Sequence, residues 1–272
     1  MTDQGSPFSL DQIGAHAVRF SSSGVFETHK DQMVDPYAAT KIPKGAQVEG
    51  TVYAPQTKGI FPAVVLLHDR WGLTSQIGET AKKLACEGYV VLTPNLYGRQ
   101  GGMITANAEV ADALMARLNE KDALQDINAC CEFLNTNVAE DTTLDQTKRN
   151  VHGVVGFGMG GTLAIRFACQ RKRLKTAVAF YGQLPDSSET AKRLFCPVLY
   201  HAAGANGVVT QDEIEQLQQA AKQENKHIEV QLYPEASPGF CNENQSETYR
   251  QEVAKRAWTS TIDFLNRYLK NP

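Results

Sequence analysis

The sequence predicts an α/β protein built on a mostly parallel, doubly wound sheet flanked by helices. Three observations carry that prediction. Short apolar runs alternate with longer segments whose apolar residues recur at helical spacing, the order expected of consecutive strand–helix units. The runs are apolar throughout instead of alternating with polar residues, as strands covered on both faces must be. With 272 residues, 42% hydrophobic and 21% charged, the chain can bury one large core.

The elements follow in chain order. Residues 1–45 are polar and contain Ser and Gly, and are expected to form an N-terminal extension ahead of a domain spanning 46–272. QVEGTVYAP opens that domain as a strand, and PAVVLLH, Pro62 to His68, is a continuous apolar strand. A helix is predicted from about Ser75, with Ile77, Ala81, Leu84 and Ala85 on one face and Gly88 at its C-terminal cap. YVVLTP is the next strand, and a long helical region follows from about Ala106 to Leu134. VHGVVGF reads as a strand and GTLAIRFACQ as the helix after it, while TAVAFYG and PVLYHAA are further buried strands. Thr210 with Glu213 forms a capping box for a helix whose core face carries Ile214, Leu217 and Ala221. HIEVQLY alternates like a strand, and the last helix is expected from about Glu247 to Leu269.

Composition narrows the function classes. A net charge of −3 leaves no basic footprint for nucleic acid or an anionic membrane. No apolar run approaches the roughly 18 residues that a membrane span needs. The opening MTDQGSPFSL has no basic stretch ahead of an apolar one, so no signal peptide is expected. Six cysteines, isolated apart from the adjacent Cys130 and Cys131, form no C-x-x-C pair and favour reduced, buried thiols. A cytoplasmic protein is the expectation. The histidines, at 16, 29, 68, 152, 201 and 227, show neither H-x-x-H nor H-E-x-x-H spacing, so no metal is expected.

VVGFGMGGTLAIRFA, Val154 to Ala168, carries the functional question. Gly156, Gly158 and Gly161 match G-x-G-x-x-G between a strand and a helix, where backbone N–H groups at a helix N-terminus would face a pyrophosphate. That reading needs an acidic residue about 20 positions on, to hold the ribose. The next strand ends AFYGQLP instead, with no Asp or Glu before Asp186, and two strand–helix units precede the loop. Dinucleotide binding is the minor alternative.

LLHDRWGLTSQIGETAKKLACEGYVVLTPNLYGRQGG, VVGFGMGGTLA, CPVLYHAAGAN and YPEASPGF…YRQEVAKRAWTSTIDFL resemble, in order and spacing, the dienelactone hydrolase family of the α/β-hydrolase fold. The resemblance covers about Val48 to Leu269. It implies that fold and a triad: a nucleophile on the turn (G-x-C-x-G-G), an aspartate after the PVL strand, and a histidine in YP-x-A-x-H-G-F. These positions fall on Gly158, Asn206 and Pro238. Glycine has no nucleophile, asparagine no charge and proline no titratable group, so the triad is degenerate.

The resemblance also implies a pocket. Its oxyanion hole would be the backbone N–H groups of Arg70 and Met159, which the loss of a side chain at Gly158 leaves in place. Asp69 stands where the family usually has glutamate, Arg99 matches an arginine that contacts the substrate carboxylate, and Trp71 would wall the pocket. Asp69, Arg70, Trp71, Arg99 and Met159 are therefore the expected ligand-binding residues.

Three function classes follow. The first is a non-hydrolytic member of the family that binds a small carboxylate or a protein partner. The second is an ester or lactone hydrolase with a rearranged constellation drawing on Ser237, Cys241 or His201. The third is a structural subunit whose extension contacts a partner. No cofactor, nucleic acid or membrane is expected in any of them.

Overall fold

The computed structural model describes residues 5–22, 46–136, 138–139, 142–143, 147–184 and 186–271. In chain order its strands are β1 (Ile13–Ser21), β2 (Gln47–Pro55), β3 (Phe61–Leu67), β4 (Val90–Pro94), a small ribbon of β5 (Val138–Ala139) with β6 (Thr142–Thr143), β7 (Thr147–Phe157), β8 (Thr176–Phe180), β9 (Val198–Ala203) and β10 (Ile228–Tyr233). The helices are α1 (Ser75–Cys86), α2 (Ala108–Ala116), α3 (Glu120–Thr136), α4 (Met159–Ala168), α5 (Ser187–Arg193), α6 (Gln211–Gln223) and α7 (Gln251–Leu265). An eight-stranded sheet runs β1-β2-β4-β3-β7-β8-β9-β10. β2 lies antiparallel to β1 and β4, and every later pair is parallel.

The unbroken apolar runs are explained by where they lie. Along β3, Ala63, Val65 and Leu67 face one hydrophobic cluster with Leu163 and Phe167 of α4. Val64 and Leu66 face another with Ile77 and Leu84 of α1 and Phe264 of α7. Successive side chains on a strand point to opposite faces, so both parities must be apolar when helices cover both. A third cluster forms under α6, where Ile214 and Leu217 meet Tyr200 and Ala202 of β9. No described helix is long and apolar enough to cross a membrane.

The ribbon of β5 and β6, helix α5 and the first four residues of β7 were not expected from the sequence, and three further differences have a visible cause. Residues 13–21, inside the segment expected to be an extension, form β1 at the sheet edge, in register from Ile13 with Pro55 to Ser21 with Gln47. Val18 and Phe20 are buried on one face while Ala15, Ala17 and Arg19 are exposed on the other, and His16, on the buried face nearer the strand's start, is exposed as well, so the strand lacks an unbroken apolar run. The rest of that segment, residues 1–4 and 23–45, lies outside the described residues.

The long helical region divides into α2 and α3. The Asn119 side chain accepts from the Asp122 amide at 3.1 Å, starting a new helix in mid-pattern. The last helix starts at Gln251 instead of about Glu247, because residues 237–249 are spent on turns, among them Phe240 N to Ser237 O at 3.1 Å and Tyr249 N to Gln245 O at 2.8 Å. Those turns wall the site described next.

Candidate functional site

β7 passes into α4 through Gly158, whose φ of 50° and ψ of −113° lie where a side chain is strained. The approach on both sides of the turn is close. A Cβ on Gly156 would lie within 2.8 Å of Gly160 and of the Gly161 nitrogen, and one on Gly161 would lie 2.8 Å from Phe180 O. Gly156 and Gly161 are thus accounted for by strand–helix packing, and Gly158 by its backbone conformation. The Gly158 N–H donates to Phe180 O at 2.9 Å, so this amide does not face a phosphate.

The volume in front of Gly158, where the resemblance leads one to expect a nucleophile, is filled from another loop. A Cβ on Gly158 would lie within 2.6 Å of Oδ1, Cγ and Oδ2 of Asp69. Oδ1 accepts from the Arg70 amide at 2.7 Å and from the Met159 amide at 3.2 Å. These are the two N–H groups expected to form the oxyanion hole. The carboxylate also sits at the N-terminus of α4, where the helix dipole favours negative charge. Burial pushes the Asp69 carboxyl above its ordinary value, while the two amides and the Arg70 charge pull the other way.

The strand end behind Asp69 is rigid. His68 is buried and donates through Nδ1 to Asp69 O at 2.7 Å, leaving Nε2 to accept from the Leu96 amide at 3.1 Å. Burial lowers its pKa to about 4, so it is neutral and both its nitrogens are engaged. Tyr97 Oη donates to Arg70 O at 3.0 Å. The Arg70 guanidinium bonds Asp112 and lies 4.6 Å over the Trp71 ring.

These groups line a cavity of about 900 Å³. Asp69, Arg70, Trp71, Gly158 and Met159 form one part, Met115, Leu118 and Glu120 a second, and Pro238 with residues 244–248 a third. Thr162, Leu163, Tyr181, Gln183 and Val208 also line it. Gly158 and Pro238, 80 positions apart in number, therefore meet at one site. Asn206 does not line it: this residue is exposed in a left-handed turn, with φ of 53°. Its loop is nonetheless joined to that of Pro238, since Ala205 N donates to Ala236 O at 2.9 Å.

Arg99 requires a correction. Arg99 does not line this cavity, and its guanidinium is engaged by the protein itself. Arg99 Nε and Nη2 bond Asp126 at 3.0 and 2.7 Å, and Nη2 donates to Ser22 Oγ at 3.1 Å. Arg99 lines a separate shallow hollow with Arg19 and Glu49. Its buried partner on α3, not an external ligand, explains an arginine after β4.

None of Ser237, Cys241 and His201 is among the residues lining the cavity. His201 is wholly buried between Tyr233 Oη at 3.0 Å and Thr261 Oγ1 at 2.9 Å, and burial lowers its pKa to about 3. Burial raises the Cys241 thiol far above the thiolate range. Among the described residues the cavity lining contains no His, Lys or Cys, and no group of three or more His, Cys, Asp or Glu is placed to hold a metal. The sequence reading missed Asp69 as a plug, and missed Tyr181, Glu120 and residues 244–248 as lining. The pairing of a bare glycine with an acid on the loop facing it was the available signal.

A dienelactone hydrolase family profile matches residues 48–269. A protein of Aquifex aeolicus named "Putative carboxymethylenebutenolidase" is 30% identical over 234 residues, which is 83% of this chain and 96% of that relative. A protein of the same name from Yersinia pestis is 26% identical over 242 residues, 84% of this chain and 87% of the relative. The solved structure titled "Crystal Structure of Putative Dienelactone Hydrolase from Klebsiella pneumoniae subsp. pneumoniae MGH 78578" superposes with a TM-score of 0.76 at 22% identity, over 94% of this chain and 100% of that one. At that identity the superposition speaks to the fold.

Proposed function

The chain belongs to the dienelactone hydrolase family, and on that premise we propose that it binds a small molecule in the family's cavity without hydrolysing it. One observation carries the reading: the Asp69 carboxylate stands in the volume of the missing side chain at Gly158 and accepts from both Arg70 and Met159 amides. Acyl hydrolysis needs a nucleophile, a base to deprotonate it and free donors for the oxyanion. Here the first position bears no side chain, the second is Pro238, and the donors are engaged by a charge of the same sign as the intermediate. Loss of a nucleophile or base costs on the order of 10⁶-fold in a triad enzyme, and loss of one oxyanion donor roughly 10²–10³-fold.

Retention of the cavity supports binding over a purely structural role. About 900 Å³ is the size of small-molecule sites, and its lining mixes apolar Trp71, Met115, Leu163 and Val208 with a few polar groups, as such sites do.

The test is an ester and lactone assay on purified protein. We expect no turnover of p-nitrophenyl acetate or a dienelactone above a mock preparation. Turnover abolished by a serine or thiol reagent overturns the reading.

A further inference from the structure

The charges around the cavity run opposite to those that hold a carboxylate. Asp69, Glu120 and Glu247 line it against one lining cation, Arg70, whose guanidinium is met by Asp112. Glu120 has Arg166 at 3.5 Å, which offsets it in part. The arginine that a carboxylate ligand would need, Arg99, is tied to Asp126 outside the cavity. At the centre, Asp69 Oδ1 is held by two amides, and among the described residues no donor reaches Oδ2. A carboxylate that lines a cavity with one oxygen left over is an acceptor for an N–H donor, and the strongest such donor is a cation.

The walls suit the same ligand. Trp71 lines the cavity with the Arg70 guanidinium 4.6 Å over one face of its ring, and contributes aromatic surface for the body of a ligand. Met115, Leu118, Leu163 and Val208 supply an apolar surface for the rest of the molecule. An anion entering this cavity would face Asp69 in the position it would have to take, with no donor left at Arg70 N or Met159 N.

We propose that the cavity takes an organic amine, its ammonium group bound by Asp69 and its apolar body lying against Trp71 and Met115. This rests on the non-hydrolytic reading above and assigns the ligand class to the same site.

Calorimetric titration at neutral pH with three matched probes tests it: phenethylamine, phenethyl alcohol and hydrocinnamate. The amine is expected to bind about tenfold tighter, or more, than either of the others. Asp69→Asn keeps the shape of the side chain and the hydrogen bonds accepted by Oδ1, and removes the preference for the amine over the alcohol. Glu247→Gln removes a second lining charge and lowers amine affinity by a smaller factor, about twofold to threefold. Hydrocinnamate as the tightest probe, an amine affinity unchanged in both variants, or no amine binding at about 10 mM each overturns the proposal. Ester turnover is measured on the same preparation, so failure of the non-hydrolytic reading is seen there and failure of the charge preference in the titration.

Discussion

The Asp69 carboxylate and Gly158 exclude one another: any Cβ at position 158 would lie within 2.6 Å of all three carboxyl atoms. The two residues come from loops at the ends of neighbouring strands, β3 and β7. Each makes sense of the other, because an acid turned into this position requires a bare backbone, and a bare backbone leaves the volume for an acid.

Gly158→Ala is therefore expected to destabilise the fold twice over. The backbone conformation costs a side chain about 1–3 kcal/mol, and the overlap with Asp69 adds to it. In the Asp69→Ala background the overlap disappears and only the backbone cost stays. Denaturant unfolding of the four proteins should give a coupling of about 1 kcal/mol or more. Additive effects would mean that the carboxylate does not occupy this volume.

Asp69 also sets a pH dependence. Its carboxyl is raised above the ordinary value by burial, so the folded protein binds that proton more tightly than the unfolded chain does. Stability from this group is full below the ordinary carboxylate value and is lost as pH rises through the raised one. Asp69→Asn removes the loss, and its advantage over the wild type should grow with pH across that window. An advantage that shrinks with rising pH refutes the assignment.

Arg99 is expected to act on stability and not on the cavity. Arg99→Ala leaves the buried Asp126 carboxylate without its bidentate partner and should cost about 1.5–3 kcal/mol. Affinity for a cavity ligand should be unchanged, whereas a role for Arg99 in ligand binding predicts the reverse.

Three buried histidines give the opposite sign at acid pH. Burial lowers His68 and His152 to about 4 and His201 to about 3, against about 6.5 in an unfolded chain. The unfolded state takes up their protons first, so their contribution is complete above about pH 6.5 and is lost as pH falls below it. Histidine ring resonances followed by NMR should show these three without a titration between about pH 5 and 8. A midpoint near 6.5 for any of them contradicts its burial.

Much of this was legible in the chain. The β3, β7, β8 and β9 runs declare themselves because strands covered on both faces admit few polar residues. Thr210 and Glu213 cap α6 as read, each accepting from the other's end of the turn. β1 was not legible, since Arg19 on its outward face and an exposed His16 on the other break the apolar pattern, and only pairing with β2 makes it a strand of the sheet. The division between α2 and α3 was hidden because the apolar spacing runs on through it, and only the Asn119 side chain, accepting from the Asp122 amide, marks the start of a second helix.

The sequence by itself determined that positions 158, 206 and 238 carry Gly, Asn and Pro, because covalent identity cannot be changed by folding. It also determined the strand–helix alternation and the glycine turn, which rest on spacing within a few residues. Only the tertiary structure decided where the charges went. Asp69 turns into the amide of Met159, 90 residues away, and Arg99 turns to Asp126 on α3 and to Ser22 beyond β1. A long-range pairing of this kind is set by which loops the sheet order brings together and by the cost of leaving a buried charge unmet, and neither is written in local spacing.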